Sequence, residues 1–125
     1  MQEYLLDSNI LIYFSKKHPK VKKILNALHR EYFFISTISS IEVLMGAPDE
    51  KEFKLLSELL HSFAPLELSS KISSEAVKLE KKFPKKLKFK DLLIAATAQV
   101  EGLTLVTADK DFQKIKGLKV KWMKL

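Results

Sequence analysis

Strands alternating with helices predict an α/β chain whose parallel sheet forms the middle of three layers. Three observations carry that prediction. The apolar run Tyr4-Leu5-Leu6 meets Asp7-Ser8-Asn9 and then a second apolar segment, the pattern of a strand turning into a helix. Tyr32-Phe33-Phe34-Ile35 is an aromatic and β-branched run that reads as a strand. Leu103-Thr104-Leu105-Val106, the best strand in the chain, follows residues 92–100, which are apolar nearly all round and suit a helix buried against a sheet. About five strands fit. At 125 residues the chain fits one domain, residues 1–125, with a core that removes roughly two-thirds of the unfolded surface from water.

Taken in order, residues 10–14 continue as the first helix after Asp7. Pro19 opens an amphipathic helix through Val21, Ile24, Leu25 and Leu28. After the second strand, Ser36, Thr37, Ser39 and Ser40 offer N-caps for a helix through residues 41–45, stopped by Gly46 and Pro48. Asp49 or Glu50 starts the next helix, with Phe53, Leu56, Leu60 and Phe63 on one face. Leu66-Glu67-Leu68 is a weak third strand, and Ser69-Ser70 leads into a helix with Ile72, Ala76, Leu79 and Phe83 in line. Residues 81–90 read as an exposed basic loop that Asp91 ends. Gly102 caps the apolar helix, residues 107–112 form a polar turn leading to a short helical piece, and a last strand covers residues 118–122.

Composition narrows the function. The sequence has no Cys, which excludes a disulfide frame and a thiolate metal site and fits a reducing compartment. Glu3 and Asp7 near the start, with no basic leader, argue against a signal peptide, so a cytoplasmic protein is expected. Residues 92–100 contain Thr97 and Gln99 and fall well short of the ~20 residues of a membrane span. No membrane partner is expected. The formal charge is +7, and of 22 basic residues Arg30 is the only Arg. That balance admits a polyanion such as nucleic acid, with an acidic protein partner as the alternative.

Four carboxylates fall where chemistry could use them. With right-handed crossovers, Asp7 and Asp109 end two strands on one edge of the sheet, where ligand crevices form in open α/β folds. Each acid also has a plainer reading. Asp7 and Asp91 precede helices and could be N-caps, and Asp109 could be an ordinary turn residue. Glu42 stands inside an apolar helix between Ile41 and Val43, where a lone buried carboxylate is costly without a compensating cation. A metal would compensate. Oxygen ligands without Cys suit Mg²⁺ or Mn²⁺, and acids with a basic periphery point to phosphodiester chemistry. His18, His29 and His61 lack ligand spacing, and the aromatics at Tyr13, Phe14 and residues 32–34 read as core.

Four segments in order resemble the motifs of the PIN domain, and in particular of VapC-type toxins. They are residues 6–13 (LDSNILIY), the Ser-x-x-Ser-x-x-Glu pattern ending at Glu42 with Leu44 and Gly46, residues 91–98 (DLLIAATA) and residues 105–112 (LVTADKDF). Residues 116–120 before Trp122 look like the family's closing strand. The resemblance implies a PIN-like sheet of strand order 3-2-1-4-5 and a Mg²⁺-dependent endoribonuclease, with Mn²⁺ a substitute. It implies Asp7, Glu42, Asp91 and Asp109 as the catalytic and metal-holding acids, Ser8, Asn9 and Thr107 as groups supporting them, and Asp111 as a further acid. It also implies an RNA substrate, a cognate antitoxin and a homodimer, for which the apolar residues 10–14 and the aromatic run near Tyr32 offer a surface. Residues 88–90 (KFK) depart from the family, where Gly, Arg and Pro are common, and leave substrate choice open. Lys85, Lys86, Lys88 and Lys90 are candidate contacts to the phosphate backbone. Other readings are a housekeeping RNA-processing or DNA-acting PIN nuclease, a haloacid-dehalogenase-type phosphatase and a catalytically silent binding module. The phosphatase chemistry wants an Asp where this chain has Asn9, and four intact acids count against the silent module.

Overall fold

A computed structural model describes residues 2–125 of the chain. Five strands form one parallel sheet: β1 (Tyr4–Leu6), β2 (Phe33–Ser36), β3 (Ala64–Leu66), β4 (Thr104–Thr107) and β5 (Val120–Trp122), in the order β3-β2-β1-β4-β5. The helices are α1 (Ser8–Ser15), α2 (Pro19–Asn26), α3 (Thr37–Met45), α4 (Glu50–Leu60), α5 (Ser70–Lys82) and α6 (Phe89–Glu101). They cover both faces. Because successive strand residues point to opposite sides, Leu5 and Leu105 join Ile72, Leu79 and α6 on one side. Leu6 and Val106 face Ile10, Val21, Val43 and Leu56 on the other. A strand buried on both faces must be apolar at every position, as β1 and the Leu105–Val106 part of β4 are.

Local chemistry sets the helix limits. Ser36 Oγ accepts the Ile38 N–H, Asp49 Oδ1 the Glu52 N–H and Ser69 Oγ the Ile72 N–H, so three helices start on side-chain caps. Gly102 ends α6 in the left-handed conformation at φ 67°, which costs a residue without Cβ little.

The structure departs from the sequence reading in several places, among them the last strand, which is Val120–Trp122 rather than residues 118–122, and Tyr13, which is exposed rather than core. The third strand is Ala64–Leu66 rather than residues 66–68. Its pairing register sets Pro65 opposite Ile35, which a residue lacking an N–H can occupy because β3 pairs with β2 alone. Phe53 is exposed, and the inner face of α4 is Leu56 and Leu60. The basic loop is shorter than residues 81–90, since α5 runs to Lys82 and α6 begins at Phe89. Finally, Ile10 and Leu11 are fully buried in the chain's own core, so they offer no dimer surface. The exposed apolar side chains include Ile41, Met45, Val77 and Phe89.

Candidate active site

Asp7 follows β1 and caps α1. Its N–H donates to the Val106 carbonyl at 3.0 Å, which ties the ends of β1 and β4 together. Its carboxylate is 2% exposed and accepts three bonds: from the Ser8 N–H at 2.9 Å, Thr107 Oγ1 at 2.7 Å and Asn9 Nδ2 at 3.2 Å. Asn9 Oδ1 accepts the Ala108 N–H at 3.1 Å, and Thr107 Oγ1 accepts the Asp109 N–H at 3.0 Å. Ser8, Asn9 and Thr107 thus hold Asp7 and the segment after β4 in one network. Trp122 on β5 adds a bond from Nε1 to the Ala108 carbonyl at 3.2 Å, a support that no local motif in the sequence signals.

Burial dominates the ionisation of Asp7. It raises the carboxyl from 3.8 to about 6 against the lowering effect of the Thr107 and Ser8 hydrogen bonds. The negative charge of Asp91 pushes the same way, and Lys90 pulls back. Asp91 is also raised, first by burial, with Asp109, Glu42 and Asp111 adding repulsion and Lys90 opposing it. Asp91 of α6 therefore shares its field with Asp7 ahead of α1, Glu42 of α3 and the acids after β4.

Capping explains some of these acids and not others. Asp7 is an N-cap, and Asp109 caps the short 3-10 helix Lys110–Lys114 through the Asp111 N–H at 2.9 Å. Asp111 pairs with Lys114 at 3.0 Å. Asp91 is no cap: α6 begins earlier, so Asp91 lies inside the first turn, and the cap position is held by Lys88 without a side-chain bond. The plain reading of Asp91 fails on that geometry.

Glu42 is less buried than an apolar helix suggested. Its side chain is 35% exposed, one oxygen pairs with Lys90, and the other, Oε1, is buried with no partner. Lys90 Nζ also lies 3.7 Å from Asp91 Oδ1. Burial alone would lower the Lys90 ammonium, but the hydrogen bond and charge of Glu42, with Asp91 and Asp7 beyond, hold it above its ordinary value. In the sequence Lys90 reads as one of the outward lysines of the loop. What could have revealed it is a cation in the first turn of a helix, the end that disfavours positive charge.

Lys85, Lys86, Lys88, Asp91, Asp109 and Asp111 line one cleft of about 510 Å³, so three of the four candidate phosphate-contacting lysines border the acids directly. Lys85 holds a left-handed turn at φ 60°, where its N–H donates to Glu80 Oε2 at 3.0 Å. Among the described residues, no three His, Asp or Glu side chains are drawn close enough to form a ready-made metal-binding group. Two of the histidines lie against other groups: His18 packs edge-on against Tyr13 while its buried Nδ1 has no hydrogen-bond partner, and His61 Nδ1 lies 2.8 Å from the Ser57 carbonyl. No helix among the described residues is long and apolar enough to cross a membrane.

Comparison with known proteins agrees with this architecture. No curated protein matches the sequence. Among solved structures, the chain is similar to one from a toxin–antitoxin complex of Klebsiella pneumoniae, at 32% identity and a TM-score of 0.81 over 93% of this chain and 95% of that one. It is also similar to one in the VapBC2 complex of Rickettsia felis bound to a promoter DNA fragment, at 28% identity and a TM-score of 0.85 over 96% and 98% of the two chains. At 10% identity, VapC20 of Mycobacterium tuberculosis, described as a sarcin–ricin loop cleaving toxin, shares the fold with a TM-score of 0.71 over 94% and 98%. The family model of the PIN domain matches residues 4–118. The strand order, the acidic edge and that match over nearly the whole sequence place the chain in the PIN domain family.

Proposed function

We propose that the chain is a metal-dependent endoribonuclease, the toxin of a type II toxin–antitoxin pair, acting in the cytoplasm. The observation that carries the reading is Asp91, a carboxylate that caps nothing, repelled by its acidic neighbours, and set in a cleft whose other wall is lysine. Two of these carboxylates cap helices and Asp91 is favoured by the first turn of α6, yet bringing them together with Glu42 is costly, and a divalent cation relieves that cost. The donor set fits Mg²⁺ or Mn²⁺, since every donor is oxygen and the buried Glu42 Oε1 has no partner of its own. Asp7, Asp91, Asp109 and Glu42 would hold the ion, with Asp111 close to Asp109. When bound, it supplies an activated water and charge stabilisation on the departing oxygen of a phosphodiester.

The chain's own residues do the rest. Ser8, Asn9 and Thr107 fix the Asp7 carboxylate, and Lys85, Lys86 and Lys88 draw the RNA backbone into the cleft. The similarity to chains from toxin–antitoxin complexes supports a cognate antitoxin as partner and favours the toxin over a housekeeping nuclease. A homodimer would draw on exposed apolar side chains such as Tyr13, Ile41, Met45, Val77 and Phe89 rather than on the buried Ile10 and Leu11.

The test is cleavage of RNA by the purified chain with Mg²⁺ or with chelator, for the wild type and Asp91→Asn. Cleavage that needs metal and drops at least about a hundredfold in the variant supports the reading. Equal cleavage by both proteins, or cleavage indifferent to chelator, would refute it. Expression without a partner separates the two nuclease readings: a toxin arrests growth, and a housekeeping enzyme does not.

A further inference from the structure

Lys90 is out of place by the rules that govern helix ends. It sits in the first turn of α6, where the unpaired N–H groups favour anions, and the cap before it is a lysine that makes no side-chain bond. Its two nearest flanking lysines, Lys88 and Lys86, border the open cleft, while Lys90 turns inward to Glu42 on α3 and to Asp91. A cation placed against its helix's polarity is held by something stronger. Here that is a carboxylate from a different helix, with the contact joining α3 to α6 across 48 residues of sequence.

Resting on the metal-site reading, we propose that Lys90 is an internal counter-cation, occupying Glu42 while the acids lack metal and yielding that carboxylate when a divalent cation arrives. Three features support exclusive occupancy. Glu42 Oε2 is engaged by Lys90 while Oε1 is buried without a partner, so the carboxylate is only half satisfied. The ammonium lies against Glu42 and 3.7 Å from Asp91, two of the acids that would hold a metal, and two cations there would repel. The Lys90 side chain is 39% exposed, so a flexible stem has room to swing toward the lysine-lined cleft without moving the backbone. Released there, it adds a fourth lysine to the wall that meets phosphate. Lys90 is a positioning residue: it keeps α3 and α6 at their spacing before loading, and it sets a threshold of metal concentration below which the site stays closed.

The experiment measures Mn²⁺ affinity by calorimetry and melting temperature with and without Mn²⁺, for the wild type, Lys90→Met and Asp91→Asn. Methionine keeps an unbranched stem one atom shorter and removes the charge. Lys90→Met is expected to bind Mn²⁺ about five- to tenfold more tightly than the wild type, to melt lower without metal and to gain more on loading. Asp91→Asn should bind more weakly. If Lys90→Met binds no tighter than the wild type while Asp91→Asn loses affinity, the Lys90 inference is wrong and the metal site stands. If no protein of the three binds Mn²⁺, both fail together. A readout on the wild type guards against a misfolded variant. Trace acetylation followed by mass spectrometry should show Lys90 becoming severalfold more reactive when Mn²⁺ is added, with Lys85 unchanged. Unchanged Lys90 labelling in protein that binds Mn²⁺ overturns the inference equally.

Discussion

The N-termini of α1 and α6 each present an Asp at the same edge of the sheet, and they hold it in opposite ways. Asp7 is 2% exposed, caps its helix and accepts bonds from Ser8, Asn9 and Thr107. The Asp91 side chain is 17% exposed, caps nothing, and has Lys90 at 3.7 Å as its nearest ion-pair partner. Asp7 is fixed by the fold and contributes to it, whereas Asp91 is free to answer to whatever enters the cleft. A site that must accept both a metal and an RNA backbone gains from such a pairing, with one immobile ligand and one adjustable one. Removing support from Asp7 should therefore be felt in stability, and changes at Asp91 should be felt in binding and turnover.

The largest stability effect expected is a pH dependence of the metal-free protein. Asp7 titrates at about 6 in the fold against 3.8 as an ordinary Asp, so between those values the folded chain holds a proton that the unfolded chain has lost. Stability then falls as pH rises through that window and is fully penalised above it, the reverse of an Asp with a depressed value. The size is roughly 2–3 kcal/mol across the window, since one pKa unit corresponds to about 1.4 kcal/mol. Denaturant unfolding of the wild type and Asp7→Asn from pH 4 to 7 checks it: the difference between the two should narrow or invert as pH rises. A parallel pair of curves would remove Asp7 from the account. Next comes Thr107→Val, which deletes the donor to Asp7 and the acceptor for Asp109 at a fully buried position. It should cost about 1–2 kcal/mol in the same unfolding assay.

Asp91→Asn, by contrast, should leave metal-free stability within about 0.5 kcal/mol of the wild type, or raise it slightly as repulsion is relieved. A loss comparable to that of Thr107→Val would erase the distinction between the two helix ends. The smallest expected effect is at the cleft wall. Lys85→Ala with Lys86→Ala should leave melting unchanged and make RNA binding less sensitive to salt, flattening the slope of log affinity against log salt by about 0.7 per lysine. An unchanged slope would place the RNA elsewhere.

Most of the fold is legible in the residues because its signals are local. Continuous apolar runs mark β1, β2 and β4, Ser and Asp caps mark helix starts, and Gly102 marks the end of α6. The third strand slips by two residues because an edge strand pairs on one side only, and Pro65 in such a strand looks like a boundary until the pairing is known. At the site, the Asp7 network follows from Asp-Ser-Asn, yet the partnership of Thr107 with Asp7 spans 100 residues and no spacing rule reaches it. Asp91 reads as a cap because an acid after a lysine run resembles a helix start, and only the true start at Phe89 moves it into the first turn. Lys90 is hidden for the same reason. Until the helix start is known, a lysine among lysines gives no sign that it turns toward an acid, since its partner Glu42 arrives from another helix.

The most direct test of the acidic edge as a metal centre is a crystal of the chain soaked in Mn²⁺ and measured at the manganese absorption edge. An anomalous peak bound by oxygens of Asp7 and Asp91, with Lys90 turned away from Glu42, is the expected result. An anomalous peak bound only elsewhere, or none at millimolar Mn²⁺, would contradict it.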